Sequence, residues 1–170
     1  MGQWVMPEQE TLRRVEQDQA EGKSPATQAG EFIREEIHHV REGKHGARSV
    51  QQAIAIGLSK ARRARVKLRP PKEGRASAEI RKQASRDLAK GRQKRHSVSR
   101  KRSHATLNAL RRESTSTASK SALSRQTHNA ANRRSRRSRH GSAMKALHTK
   151  GKQGLRRAGQ KAARTRKRNS

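Results

Sequence analysis

At 170 residues the chain has room for one domain, yet only 21 positions are Leu, Ile, Val or Phe, about 12% and below the ~20% under which highly charged chains stay unfolded. A large core is therefore excluded, because each ordered residue loses about 1–2 kcal/mol of backbone entropy that sparse apolar side chains do not offset. A net charge of +31, from 44 Lys and Arg against 13 Asp and Glu, calls for a polyanionic partner, and the absence of Cys removes disulfide, thiolate-zinc and cysteine-nucleophile chemistry.

Residues 1–23 are polar and acidic, with a weak helical spacing in Leu12, Val15 and Gln19; they are expected to form an acidic, disordered N-terminus with at most a short frayed helix. The opening MGQWVMPEQE lacks the apolar run of a secretion signal. Met6 stands where a myristoylation motif after Gly2 needs Ser or Thr. No stretch approaches the roughly 20 apolar residues of a bilayer span, so no membrane association is expected.

Ser24 followed by Pro25 marks a helix start, and Gly43 a stop. Between them Ala29, Ile33, Ile37 and Val40 recur at helical spacing, with Phe32 beside them. Ser49 and Gln52 fit a capping box opening a second helix, along which Val50, Ile54, Gly57 or Leu58 and Ala61 share a face, continuing to Ala64 or Arg65. Pro70 and Pro71 are expected to end it. Residues 24–71 thus read as a helical hairpin, in which Gly57 lets the helices approach. With Phe32, Ile33, Ile37, Val40, Val50, Ile54, Ile56 and Leu58 as its core, at about 1.5–3 kcal/mol for each fully buried side chain, such a hairpin is only marginally stable alone. Self-association as a homodimer would relieve that weakness.

From residue 72 the apolar stripes thin to one residue per turn: Ala76, Ile80, Ala84 and Leu88, then Val98, Ala105, Ala109 and Leu110. Residues 114–124 are a Ser/Thr-rich break, 133–140 an Arg-Ser run, and 143–148 a last short helix. The expected fold is mostly α with extensive disorder: a short helical hairpin plus a long basic arm of marginal helices over residues 72–170.

The charge is unevenly placed. Residues 1–42 hold 5 basic and 9 acidic side chains, whereas residues 43–170 hold 39 and 4. Arg outnumbers Lys 29 to 15, which suits bidentate grip on phosphates and entry into narrow minor grooves. Arg62, Arg63 and Arg65, then Arg133, Arg134, Arg136, Arg137 and Arg139, then Arg164, Arg166, Lys167 and Arg168 are the expected phosphate contacts. Trp4 and Phe32 are the only aromatics, so no base-stacking platform exists. DNA is the expected partner, with RNA or a ribosome as the alternative. Base-specific readout by Arg48, Gln51 and Gln52 is disfavoured, because the connection of about six residues is longer than a helix-turn-helix uses. The acidic face around Glu31, Glu35 and Glu36 is expected to compete with DNA for the arm.

His38, His39 and His45, beside Glu35, Glu36 and Glu42, invite a metal reading, but HExxH is absent and nothing in the spacing fixes His45 beside the others. They read as exposed polar residues, and no metal or other cofactor is expected. No phosphate-cradling loop, GxSxG or paired carboxylate appears among Glu73, Glu79, Asp87 and Glu113, so neither an enzyme nor a small-molecule substrate is expected.

The strings FIREEIHHVREGKHG, QAIAIGLSKARRA and VKLRPP, within residues 31–71, resemble a group of small basic bacterial proteins classed as a domain of unknown function, some labelled plasmid-stabilisation proteins. ALRRE, ALSRQ and ARTRKR look like the basic extensions of that group. The resemblance implies a bacterial origin and an αα module and carries no catalytic residues; with the absence of Cys and the basic charge, the expected location is the bacterial cytoplasm, in the nucleoid. A plasmid-maintenance interaction module with a DNA-anchoring arm is a further reading.

Overall fold

The computed structural model describes residues 7–93 and 99–168, and these are all-helical, 76% in helices with no strand among them. In chain order they form α1 (Gln9–Ala20), α2 (Pro25–Arg41), α3 (Val50–Arg63), α4 (Ala78–Arg92), α5 (Arg100–Arg111), a 3-10 turn at Ser116–Ala118, α6 (Lys120–Asn132) and α7 (Arg136–Arg168). Two compact units result, residues 1–126 and 127–170. The extensive disorder expected from composition is thus corrected: both the acidic N-terminus and the basic arm are helical.

Local chemistry sets the first two connections. The Ser24 hydroxyl accepts from the Thr27 N–H, and Pro25 occupies the first helical position, where its missing N–H removes nothing. At the other end of α2, Gly43 adopts φ 72°, its N–H bonds to Val40 O, and the Lys44 N–H bonds to His39 O. This is the paired closure that a left-handed residue allows. The α3 cap also forms: Ser49 Oγ accepts from the Gln52 N–H, while Gln52 Oε1 reaches back to the Arg48 N–H at 2.7 Å, one residue earlier than in the standard box.

Helix α3 stops at Arg63, well before Pro70. Arg65 takes the left-handed conformation at φ 70°, and the Val66 N–H closes on Ala61 O. Val66 is thereby folded back and fully buried. The bend costs about 1–3 kcal/mol at a non-glycine, and the Arg65 side chain offsets part of it by donating to Gly91 O of α4.

Helices α2 and α3 pack as the expected hairpin. A Cβ on Gly57 would lie 2.7 Å from Ile33 Cα, so the absent side chain is what permits the approach. The hairpin is not alone: α1 packs on α2, α4 on α3, and the Ser116–Ala118 turn on α2. Val15, Ala29, Phe32, Ala61 and Val66 form one apolar cluster; Ile37, Val40, Ala47, Ala53 and Ala118 form another. Val50 is buried, whereas Ile33, Ile54 and Leu58 are only partly so. The hairpin's marginal core thus gains cover from within the chain.

Beyond this core the helices change character. The last short helix expected at 143–148 is instead part of the 33-residue α7, kinked at Gly151 with φ 64°, and neither α6 nor α7 contains a buried residue. Val98 of the expected stripe through Ala105 and Ala109 lies outside the described residues, as do Gly2, Trp4 and Met6.

Candidate nucleic-acid interface and a buried charged cluster

The expected phosphate contacts fall into two groups. Arg133, Arg134, Arg136, Arg137, Arg139, Arg164, Arg166, Lys167 and Arg168 are all exposed in the second unit. Arg62, Arg63 and Arg65 are instead engaged in tying α3 to its surroundings. Arg62 is buried and donates to Leu68 O, with burial pressing its guanidinium below the usual range. Arg63 Nε donates to Asp87 Oδ1 at 2.9 Å. Asp87, an isolated acid in the sequence, is buried and also accepts from Ser59 and Gln83. Nothing in the spacing of α3 and α4 announces that pairing, since Arg63 and Asp87 meet only after the chain turns.

In the second unit the charge is undiluted. Glu113 is the last acidic residue of the chain; residues 127–170 carry 15 Lys and Arg and no Asp or Glu. A helix of like charges gains nothing from i,i+4 ion pairs and repels itself along its length.

A second constellation lies inside the hairpin. Glu35, Glu36 and His39 of α2, His45 of the connecting loop and Lys60 of α3 are all buried, which corrects the expectation of exposed polar residues; His38, Glu42 and Lys44 do remain exposed. Ala29, Phe32, Glu36 and Val40 occur at spacings of 3, 4 and 4, so Glu36 sits on the inward stripe, rotated from the one drawn through Ile33. Desolvation of this magnitude requires partners. Lys60 Nζ lies 2.7 Å from Glu36 Oε2 and 3.3 Å from Glu35 Oε1. His45 Nε2 lies 3.0 Å from Glu36 Oε1, and His39 Nε2 2.8 Å from Glu8 Oε1. The Glu8 N–H donates to Glu35 Oε2, and Lys44 Nζ to Glu8 Oε1, closing the network.

The carboxylates titrate accordingly. Burial pushes Glu36 up, but the hydrogen bonds from His45 and Lys60 and the lysine charge outweigh it, and the net direction is downward. His45 moves up, because its bond to Glu36 outweighs its burial. Glu8 is held down at about 2 by His39 and then Lys44.

The acidic face expected to compete for the arm does not exist as a free surface. Glu35 and Glu36 are buried with Lys60, while Glu31 pairs with Arg14 at 3.0 Å. Arg48 is exposed, and Gln51 donates to Gln126. Beside the cluster, α3 and α5 line an open cavity of about 330 Å³ whose wall includes Glu36, His45 and Lys60.

No described helix is long and apolar enough to cross a membrane. Comparison with known protein families, with curated proteins and with solved structures returned no significant match.

Proposed function

We propose that this protein binds nucleic acid without sequence specificity, as an architectural, nucleoid-associated DNA-binding protein that acts by neutralising phosphates. The observation that carries the reading is the second unit: 15 basic residues, no acid, and helices with no buried side chain. A surface of that kind has no interior to hold and no Asp or Glu in its own segment, and counterion release from DNA supplies the driving force. Arg133 through Arg139 and Arg164 through Arg168 are the main contacts, and the first unit is the folded body of the chain.

The test is affinity for a random duplex from low to high salt, with structured RNA of equal length as competitor. A linear fall of log K with log salt, about −0.9 for each phosphate neutralised, and no preference for RNA is the expected result. Strong RNA preference would move the protein to the RNA class, and binding insensitive to salt would remove the mechanism.

A further inference from the structure

Glu36, His39 and His45 each offer one ligand atom, and the three atoms lie within 4.8 Å of one another, all on buried residues. Their hydrogen bonds leave an imbalance. His45 Nδ1 faces Gly46 O at 3.0 Å and His45 Nε2 faces Glu36 Oε1 at 3.0 Å, so both ring nitrogens meet acceptors. An imidazolium meets both by donating from each nitrogen, whereas a ring with a metal on Nε2 donates from Nδ1 to Gly46 O alone. His39 presents the clearer defect: Nε2 faces the Glu8 carboxylate, and Nδ1, a lone pair in the neutral ring, is buried with no hydrogen-bond partner.

A cation between the three groups resolves each of these. We propose that Glu36 Oε1, His39 Nδ1 and His45 Nε2 bind a divalent zinc ion, with the fourth coordination position open to the α3–α5 cavity. Bonds of about 2.0–2.2 Å to atoms 3.0 Å apart subtend roughly 95°. His39 completes the set by closing the remaining gap with a rotation of its ring. Two imidazoles and one carboxylate suit zinc, whereas calcium or magnesium needs more oxygen ligands. The outer shell is also in place: Glu8 holds the far nitrogen of His39, Gly46 O that of His45, and Lys60 the second oxygen of Glu36. Metal-binding histidines and carboxylates are ordinarily oriented by such partners. The cavity, lined there by Ser59, Ile56 and Leu107 as well, supplies an entry path and room for water as the fourth ligand.

The test uses the full-length chain stripped by chelation, titrated with Zn²⁺ against a chromophoric competitor and separately with Co²⁺. One Zn²⁺ per chain, bound outside the reach of weak surface sites, and an intense visible Co²⁺ band of four-coordinate geometry are expected. Glu36→Gln and His39→Asn should each weaken Zn²⁺ by about 100-fold, while His38→Asn, on the exposed side of α2, leaves affinity unchanged. Zn²⁺ affinity indifferent to both variants, or a pale six-coordinate Co²⁺ spectrum, would overturn the site. Should a variant lose its helical circular dichroism, the wild-type protein decides alone. Paramagnetic displacement of the His39 and His45 ring signals by Co²⁺ supports the site, and displacement confined to His104, His128, His140 and His148 refutes it.

Discussion

The two units of this chain are both helical, for opposite reasons. In residues 1–126 the helices are held by Phe32, Val40, Ala53 and Val66 and by charged side chains that found partners inside. In residues 127–170 no side chain in α7 is buried and no acid balances the bases. Helical geometry therefore says little about what a segment does. The distinction lies in where its charges end: on Glu and Asp within the chain, or on an exposed surface without acids.

That contrast breaks most readily by deletion. Removing residues 127–170 should lower duplex affinity about a thousand-fold at low salt and flatten the salt slope by about 0.9 for each phosphate no longer neutralised. Denaturant unfolding of the remainder should be little changed. Filter binding and urea titration would show it, and retention of affinity would place the interface in the first unit. Lys60→Met probes the other side. It strands Glu35 and Glu36 in the interior and should cost about 3–5 kcal/mol in urea unfolding, with duplex affinity of the arm kept.

Smaller changes sharpen the comparison. Gly57→Ala forces α3 away from the Ile33 backbone and should destabilise the first unit by about 1–3 kcal/mol, read as a lower Tm by calorimetry. Ser49→Ala removes one cap in a packed helix and should cost about 1 kcal/mol. Ser135→Ala removes the same kind of bond, to the Ser138 N–H, in a helix with no core. It should leave the unfolding transition where it is, and an equal shift in both variants would mean that the units unfold as one.

Local chemistry was legible. Ser24–Pro25, Ser49 with Gln52, and Gly43 specify their caps through partners three to five residues away, and Gly57 announced a close approach by lacking a side chain. The stripe on α2 was legible only in part: Ile33 drew attention because it is apolar, while Glu36, spaced between Phe32 and Val40, carried the better signal. A charged residue at a core position of a helix points to a buried ion pair, and Lys60 on α3 was its unseen half.

Composition and pattern by themselves determined that the secondary structure is α, that residues 24–71 form a hairpin, and that the last third is uniformly basic, because these follow from residue type and from spacing within one helix; that the acidic N-terminus and the basic arm are helical rather than disordered they did not give. Tertiary structure decided which bases bond within the chain. Arg62, Arg63 and Arg65 look no different in sequence from Arg133, Arg134 and Arg136, but Arg62 is buried and donates to Leu68 O as the chain folds back, while Arg63 and Arg65 reach Asp87 and Gly91 O once α3 and α4 pack. It also decided that His39, His45 and Glu36 converge, since a loop and a helix reach one point only when the backbone closes. Side-chain chemistry is written residue by residue, whereas the desolvation that gives a charge its role depends on which distant neighbours exclude the water.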